Sequence, residues 1–287
     1  MAEPSPLPFI YQFAAGAIAG VSEILVMYPL DVVKTRQQLD STNATKGTIN
    51  CFKTIVREEG FSRLYKGITA PILMEAPKRA TKFAANDEWG KFYKNFFGVS
   101  SMTQPLAILT GATAGATESF VVVPFELVKI RLQDKTTKFN GMGEVIKDII
   151  QKNGVLGLYK GLESTMWRHI WWNAGYFGCI HQVKSLMPKP KDNTQKILFD
   201  LTSGTIGGTF GTILNTPFDV VKSRIQAGSS RYRWTYPSLA MVYKEEGFGA
   251  LYKGFIPKVL RLGPGGGILL VVFTACMDFF RKFHEKA

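Results

Sequence analysis

The 287-residue chain has little of what metal centres, disulfide frameworks and enzyme active sites require. It contains three cysteines and three histidines: Cys51, Cys179, Cys276, His169, His181 and His284. The cysteines lie far apart and form neither a C-x-x-C pair nor a disulfide pattern. No H-E-x-x-H motif, Walker phosphate loop or nucleophile–base pair is present. The sequence therefore predicts a protein that is not an enzyme and that holds no metal and no other cofactor.

Charged residues are almost missing from four long stretches of the chain. Each stretch has one acidic residue or none: 9–30, 104–125, 201–218 and 262–277. Such runs approach the roughly 20 residues that a helix needs to cross a bilayer. Charge-dense segments such as 46–66 lie between them and bring the mean hydropathy down to +0.03. This alternation is typical of a membrane protein with sizeable loops.

Acidic residues are outnumbered, 22 against 35 basic ones, and the formal net charge is +13. A basic chain can indicate a nucleic-acid partner. Here the basic residues recur in phased motifs within apolar segments and not along one solvated face, so we expect no nucleic acid to bind. The first basic residue is Lys34, and residues 1–8 contain Glu3 and three prolines. Because secretory and transit signals need early positive charge, the N-terminus predicts no such signal.

Two short motifs occur three times each, in phase. The first reads P-L-D-V-V-K-T-R-Q-Q at 29–38, P-F-E-L-V-K-I-R-L-Q at 124–133 and P-F-D-V-V-K-S-R-I-Q at 217–226. The second reads E-G-F-S-R-L-Y-K-G at 59–67, N-G-V-L-G-L-Y-K-G at 153–161 and E-G-F-G-A-L-Y-K-G at 246–254. A single P-x-D-x-x-K would indicate only a helix start. Three phased copies of both motifs indicate an internal repeat.

Each repeat is predicted to contain two membrane helices joined by a polar loop with a short amphipathic helix. The first membrane helix ends in the proline motif, and the second follows Y-K-G at about 70–94, 162–186 and 256–283. The predicted repeats are 1–100, 101–194 and 195–287. Consecutive repeats enter the membrane from the same side, which predicts a pseudo-threefold axis along the membrane normal. G-x-x-x-G pairs at equivalent positions predict close packing of the first helices: Gly16/Gly20, Gly111/Gly115 and Gly204/Gly208.

The triplicated P-x-[DE]-x-x-[KR] with a downstream [DE]-G-x-x-x-x-[YFW]-[KR]-G resembles the mitochondrial carrier family over essentially the whole chain. Asn153 is the one departure, since the pattern has an acid there. The resemblance implies an all-α membrane protein of the mitochondrial inner membrane, with six transmembrane helices in three pseudo-threefold repeats and short matrix helices. It implies exchange transport and cardiolipin as a lipid partner. The sequon at Asn43 would then face the matrix, so we expect it to be unmodified.

The charges of the first motif fall on one helical face, because acid, lysine and glutamine are spaced three and four residues apart. The motif prolines should kink these helices and bring the three faces together. Charges within a membrane need partners, and the acids and lysines can pair as Asp31–Lys129, Glu126–Lys222 and Asp219–Lys34. The resemblance implies that these pairs form a matrix gate, braced by Gln38, Gln133 and Gln226. Arg36, Arg131 and Arg224 point away from this face, and we expect them to contact loops or lipid head groups.

The resemblance implies a second, cytoplasmic gate on the other three membrane helices. Only Asp87 and Lys184 keep a charge in the expected register, with His181 as a potential partner. Glu88/Lys91 and Asp278/Arg281 match the charge spacing but lie out of register. We therefore expect the cytoplasmic gate to be weaker than the matrix gate.

Basic residues also lie midway along the second helix of each repeat, where no structural need explains them: Lys78, Lys82, Arg168, His169 and Arg261. Lys78 and Lys82 share a face, whereas Arg79 points about 100° aside. Buried cations without protein partners imply an anionic ligand, and two carboxylates could each bind one of them. These positions match the substrate contacts of the family, and Arg168-His169 resembles its keto-acid-transporting branch. The implied substrates are 2-oxodicarboxylates such as 2-oxoadipate and 2-oxoglutarate.

Several alternatives remain open at this point. Cationic contacts also suit citrate or a simple dicarboxylate, and His169 could equally be a packed helix residue. A nucleotide carrier would need an adenine slot at 168–169, which Arg-His does not supply. A proton leak or channel is an alternative of a different class. Glu23 and Glu118 should face the cavity, where they either lower its positive potential or pair with a substrate-site lysine.

Overall fold

The computed structural model describes residues 8–40, 47–188, 190, 192–228 and 230–284. Residues 1–7, the Asn43 sequon and the side chain of His181 lie outside this set, so the predictions made for them are not addressed. The described helices are, in chain order, α1 (Phe9–Leu39), α2 (Thr48–Glu59), α3 (Thr69–Phe97), α4 (Gln104–Gln133), α5 (Met142–Asn153), α6 (Leu162–Leu186), α7 (Asn193–Gln226), α8 (Thr235–Glu246) and α9 (Phe255–His284). A five-residue 3₁₀ turn follows each of α2, α5 and α8.

The helices fall where the repeat pattern predicts them. The three first motifs end within one residue of the ends of α1, α4 and α7, and each of these helices continues through its motif proline. The 3₁₀ turns end at the tyrosine of each Y-K-G, and α3, α6 and α9 begin just beyond it. The all-α fold of three repeated units is confirmed over the described residues.

Six of these helices are long enough to cross a bilayer. By length and hydropathy, α1, α4, α7 and α9 qualify as membrane spans. The other two, α3 and α6, are more polar, but their 29 and 25 residues extend about 44 and 38 Å at 1.5 Å per residue. That exceeds the roughly 30 Å hydrocarbon core. Their basic residues Lys78, Lys82 and Arg168 line a cavity within the ring, and these charges lower the mean hydropathy of α3 and α6.

The long helices form a closed ring in the order α1, α3, α4, α6, α7, α9 and back to α1. At one end, which we call the matrix end, α2, α5 and α8 pack against the ends of α1, α4 and α7. Each of these junctions has its own apolar core, built around Tyr28 and Ile55, around Leu127 and Ile149, and around Ile225 and Val242. The three cores fix the ends of the three proline-containing helices around one axis.

The glycine pairs of α1 and α4 make room for polar side chains of the neighbouring helix. A Cβ atom at Gly111 would lie 2.9 Å from the Asn173 amide, and one at Gly115 would lie 2.9 Å from His169 Cβ. A Cβ atom at Gly20 would collide with Glu75 and Arg79 of α3. The expected close packing is wrong for Gly204, where such an atom would meet nothing within 4 Å among the described residues.

The glycine of each Y-K-G lies against the end of a helix from the next repeat. Gly67, Gly161 and Gly254 have φ values of 85°, 84° and 79°, a left-handed conformation that glycine adopts at little cost. A Cβ atom on them would lie 3.0 Å from Leu132 Cβ, 2.9 Å from Gln226 Cγ and 3.0 Å from the Lys34 carbonyl oxygen. Glycine thus satisfies both the backbone turn and the contact between repeats.

The three motif arginines join the repeats to one another. Their Nε atoms donate to carbonyl oxygens at the end of the next repeat's helix: Arg36 to Gln133 (2.6 Å), Arg131 to Gln226 (3.0 Å) and Arg224 to Gln38 (3.1 Å). This corrects the expectation of loop or head-group contacts. Arg36 and Arg224 are buried and Arg131 is half-buried, and the unsatisfied carbonyl oxygens at a helix end are the acceptors within their reach. The result is a cyclic set of links, from the first repeat to the second, the second to the third and the third to the first.

Two of these arginines also pair with the acid of the second motif. Arg36 binds Glu59 at 2.6 Å, and Arg224 binds Glu246. Arg131 has Asn153 at the corresponding position and forms no ion pair within 4 Å in the part of the chain that the structure describes. Burial acts to raise the pKa of Glu246, but hydrogen bonds from Arg224 and Lys253 outweigh it and hold the pKa below its usual range.

Candidate functional site

Three ion pairs close the ring just inside the matrix end. Their N–O distances are 2.7 Å for Lys129–Asp31, 2.6 Å for Lys222–Glu126 and 2.6 Å for Lys34–Asp219. Each pair joins two different repeats, and the three acids and Lys222 are largely removed from solvent. The arrangement has the pairing and the threefold order that the motif spacing predicts.

The glutamines do not brace all three pairs. Gln38 donates to Asp219 Oδ2 at 3.0 Å and accepts from Ser223 at 2.7 Å. Gln133 and Gln226 are buried, yet neither hydrogen-bonds an ion pair among the described residues. The family-based expectation is therefore wrong for these two glutamines in this structure. At their pairs, the second oxygen of the gate acid accepts from an arginine instead.

Those arginines are the predicted substrate contacts on α6 and α9. Arg261 Nη1 lies 2.6 Å from Asp31 Oδ1, and its Nη2 lies 2.9 Å from Glu23 Oε1. Arg168 Nη2 lies 3.2 Å from Glu126 Oε1. The expectation that these cations lack protein partners is therefore wrong. Because desolvated guanidinium groups need compensation, they bind neighbouring carboxylates, namely Asp31 and Glu126 of the matrix ion pairs and Glu23 of α1.

Lys258 on α9 is a site residue that the sequence analysis missed. Its Nζ lies 2.5 Å from Asn215 Oδ1 and 3.3 Å from Asp219 Oδ2. It precedes Arg261 by about one helical turn, so the two side chains share a face of α9. The same argument placed Lys78 and Lys82 on one face of α3, and applied to α9 it would have identified Lys258. With Lys258 included, each acid of the three ion pairs interacts with its lysine partner and with at least one further cation from α6 or α9. Asp219 has two of these, Lys258 at 3.3 Å and Arg168 at 3.8 Å.

The α3 cations differ from one another in their partners. Lys78 lies 3.5 Å from Glu75, and Arg79 lies 2.6 Å from the same carboxylate while filling the space beside Gly20. Arg79 thus faces α1, as the helical-face argument predicts. The ammonium of Lys82 makes no ion pair or hydrogen bond with any residue that the structure describes. Lys82 is the unpaired member of the predicted substrate cluster.

His169 lies beside Arg168 and between α6 and α4. Its Nε2 is 3.0 Å from Arg168 Nη2, and since arginine can only donate, Nε2 accepts and the ring proton is assigned to Nδ1. The absence of a side chain at Gly115 lets the imidazole pack against α4. His169 is therefore both a packed residue and a cavity-lining one.

Two adjoining cavities bring these groups together. The cavity next to the matrix ion pairs has a volume of about 260 Å³. It is lined by four of their six charges, Asp31, Lys34, Glu126 and Lys129, and by Glu23, Glu118, Arg168, His169, Lys258 and Arg261. The second, of about 200 Å³, is lined by Lys78, Lys82, Asn86, Glu118, Arg168, His169, Trp172 and Asn173. Small anions fit this volume and would meet cations from α3, α6 and α9.

The structure does not bring the predicted cytoplasmic pair together. Asp87 binds Lys91 at 2.5 Å, and Lys184 binds Asp200 at 2.8 Å. The side chains of Asp87 and Lys184 are 63% and 52% exposed, so neither is committed to a buried gate here. Within the described ranges, three buried ion pairs join all three repeats at the matrix end, whereas at the opposite end the exposed Lys184–Asp200 pair joins only α6 to α7.

Comparison with known proteins gives consistent similarities over the whole chain. The family model for mitochondrial carrier protein matches residues 5–97, 101–191 and 193–284. Mitochondrial citrate transporter D of Aspergillus niger is 66% identical, with 98% of this chain and 97% of that one covered. Mitochondrial 2-oxodicarboxylate carrier 1 of Saccharomyces cerevisiae is 60% identical, with 98% and 97% covered. Mitochondrial 2-oxodicarboxylate carrier of Mus musculus is 44% identical, with 91% and 92% covered.

Proposed function

The chain belongs to the mitochondrial carrier family, and from this premise we propose that it is an antiporter of the mitochondrial inner membrane that exchanges 2-oxodicarboxylates, namely 2-oxoadipate and 2-oxoglutarate. The observation that carries the proposal is the placement of Arg168, His169 and Arg261 around one cavity. The two guanidinium groups come from different repeats, so they can hold the two ends of a dicarboxylate. The imidazole beside Arg168 suits a 2-oxo group next to one carboxylate.

Substrate binding and gate opening are coupled through shared cations. Arg168 and Arg261 bind Glu126 and Asp31 in the structure. A substrate carboxylate that takes either guanidinium competes with a gate acid for it. Each competition removes one of the two cations that stabilise that acid, and the matrix ion pairs become easier to separate. Without substrate the cations return to the gate acids, which favours exchange over uncoupled leak.

The opposite gate closes in the alternate state of this cycle. Asp87 and Lys184 approach one another there, which requires them to leave Lys91 and Asp200. Both pairs are exposed, and exposed ion pairs contribute little stability, so this exchange of partners costs little. Each of the repeats 1–100, 101–194 and 195–287 contributes one substrate contact region and one gate acid. The protein transports without catalysing a reaction, binds no nucleic acid and takes cardiolipin as a lipid partner.

A citrate exchanger is the second candidate. Lys82 supplies a further cation without a partner among the described residues, and a tricarboxylate has one carboxylate more than Arg168 and Arg261 can bind. The similarity to a protein named a citrate transporter favours the same candidate.

The test is an uptake panel in liposomes that contain the purified protein. Internal and external 2-oxoadipate, 2-oxoglutarate, citrate, malate and ATP are compared in every combination. External 2-oxoglutarate should enter only when an internal oxodicarboxylate is present, and ATP should not exchange. Uptake without any internal substrate would indicate a channel, and absence of all oxoacid exchange would refute the proposal.

A further inference from the structure

Glu118 is a buried carboxylate without a partner. It lies on α4, and only 4% of its surface is exposed. It forms no hydrogen bond or ion pair with any residue in the described part of the chain. It lines both cavities, including the one that contains Lys78 and Lys82. Burying an unpaired carboxylate costs free energy, so the stability of the fold does not explain why a glutamate occupies this position.

Cations of the predicted substrate cluster share a cavity with Glu118. Lys78, Lys82 and Arg168 all line the cavity that Glu118 lines, and their positive charges attract its carboxylate. Lys82 is likewise without a direct partner among the described residues. The other cavity carboxylate on an equivalent helix, Glu23, is different, because it binds Arg261 at 2.9 Å. Glu118 therefore offsets the charge of Lys82 without a direct ion pair, which leaves the Lys82 ammonium available to a ligand.

A ligand with three carboxylates would have to reach this position. Two carboxylates occupy Arg168 on α6 and Arg261 on α9 in the proposed function. The remaining side of the cavity is formed by α3, where Lys82 is the free cation. A third carboxylate that binds Lys82 comes close to Glu118 on the adjacent α4, and two carboxylates repel each other in a desolvated site.

We propose that Glu118 sets the selectivity of the cavity between dicarboxylates and tricarboxylates. When a 2-oxodicarboxylate is bound, Glu118 supplies the negative charge that Lys82 would otherwise lack. When a tricarboxylate is bound, its third carboxylate competes with Glu118 for Lys82 and is repelled by it, so the affinity for the tricarboxylate falls. The inference rests on the proposed function, because it takes Arg168 and Arg261 as the other two contacts.

The experiment compares initial exchange rates of citrate and 2-oxoglutarate at subsaturating concentrations in liposomes. Glu118→Gln keeps the shape of the side chain and removes its charge, and we expect it to raise the citrate to 2-oxoglutarate ratio at least tenfold. Lys82→Gln should lower that ratio. Glu23→Gln is the matched control, since it removes the same charge beside Arg261 and should lower both rates without changing the ratio.

Three results would overturn the inference: an unchanged ratio in Glu118→Gln, an equal rise in Glu23→Gln, or a fall in Glu118→Asp, which keeps the charge. If Glu118→Gln is poorly folded, two variants still test the inference, because Lys82→Gln should lower the ratio whereas Glu118→Asp should leave it unchanged. Thermal stabilisation of the detergent-solubilised protein by citrate or by 2-oxoglutarate measures binding without transport. Wild-type protein that exchanges neither 2-oxoadipate nor 2-oxoglutarate refutes the proposed function. The ratio of citrate binding to 2-oxoglutarate binding tests the role of Glu118 separately.

Discussion

Reversing the charge of Asp31 gives the most direct test of the proposed matrix gate. In the structure Asp31 accepts from Lys129 at 2.7 Å and from Arg261 at 2.6 Å. Each contact corresponds to about 6 kcal/mol of Coulomb energy at an effective dielectric constant of 20. Asp31→Lys turns both attractions into repulsions. Lys129→Asp reverses only the first, because Arg261 still binds Asp31.

The double variant Asp31→Lys/Lys129→Asp restores one attraction and leaves Lys at position 31 against Arg261. By the same figures, the double variant loses about as much Coulomb energy as Lys129→Asp and about half as much as Asp31→Lys. Rescue should therefore be partial and limited by Arg261. Gln38 takes no part in this limit, since it binds Asp219.

The assay is 2-oxoglutarate/2-oxoglutarate exchange in liposomes, with the unfolding temperature in detergent measured in parallel. Asp31→Lys should show no exchange, while Lys129→Asp and the double variant should show similar, reduced rates. Full recovery in the double variant would mean that Arg261 does not act on Asp31. Rescue of Asp31→Lys by Lys222→Asp, with none by Lys129→Asp, would refute the assigned order of the helices.

Arg168→Ala should abolish exchange, because it removes the guanidinium that Glu126 and substrate share, whereas the unfolding temperature in detergent should fall by only a few degrees; loss of the fold would contradict this. Arg79→Ala should lower the unfolding temperature and leave the substrate KM unchanged. Lys82→Ala should leave the unfolding temperature unchanged and raise the KM, so equal effects at both positions would argue against the assigned faces of α3. Asn153→Glu should give Arg131 an acid partner like Glu59 or Glu246 and raise the unfolding temperature by about 2 °C, a gain that should vanish in Arg131→Ala. The Arg224–Glu246 link should contribute stability above the ordinary glutamate pKa and lose it as the pH falls through the lower pKa of the folded protein. The difference in unfolding temperature between wild type and Glu246→Gln should accordingly shrink in that acidic range, and a difference that grows on acidification would contradict the assignment.

The fold could be predicted because the two motifs repeat at a constant distance. The proline motif marks the end of α1, α4 and α7, and Y-K-G marks the start of α3, α6 and α9, so a single repeat determines the other two. Threefold order places each acid opposite a lysine of another repeat, and the family resemblance selects Lys129 as the partner of Asp31. No knowledge of individual side-chain positions was needed for these predictions.

What the sequence could not predict is the competition among side chains from different helices. Arg261 and Glu23 are 238 residues apart, and no local pattern relates them. Gln133 is identical in its motif to Gln38, yet Arg261 and Arg168 occupy the carboxylate oxygens at the pairs that lack a glutamine contact. Such choices depend on how side chains from several helices are arranged around one carboxylate.

The cyclic arginine links give the matrix end one weak seam. At two of the three junctions an arginine both donates to the adjoining helix end and binds a glutamate. At the junction of α4 and α7, Arg131 donates to Gln226 but forms no ion pair with any residue that the structure describes. Of the three junctions, this one has the fewest links and should separate first when the matrix end opens. Opening would then begin between α4 and α7, and a molecule with threefold architecture would have a preferred direction of motion.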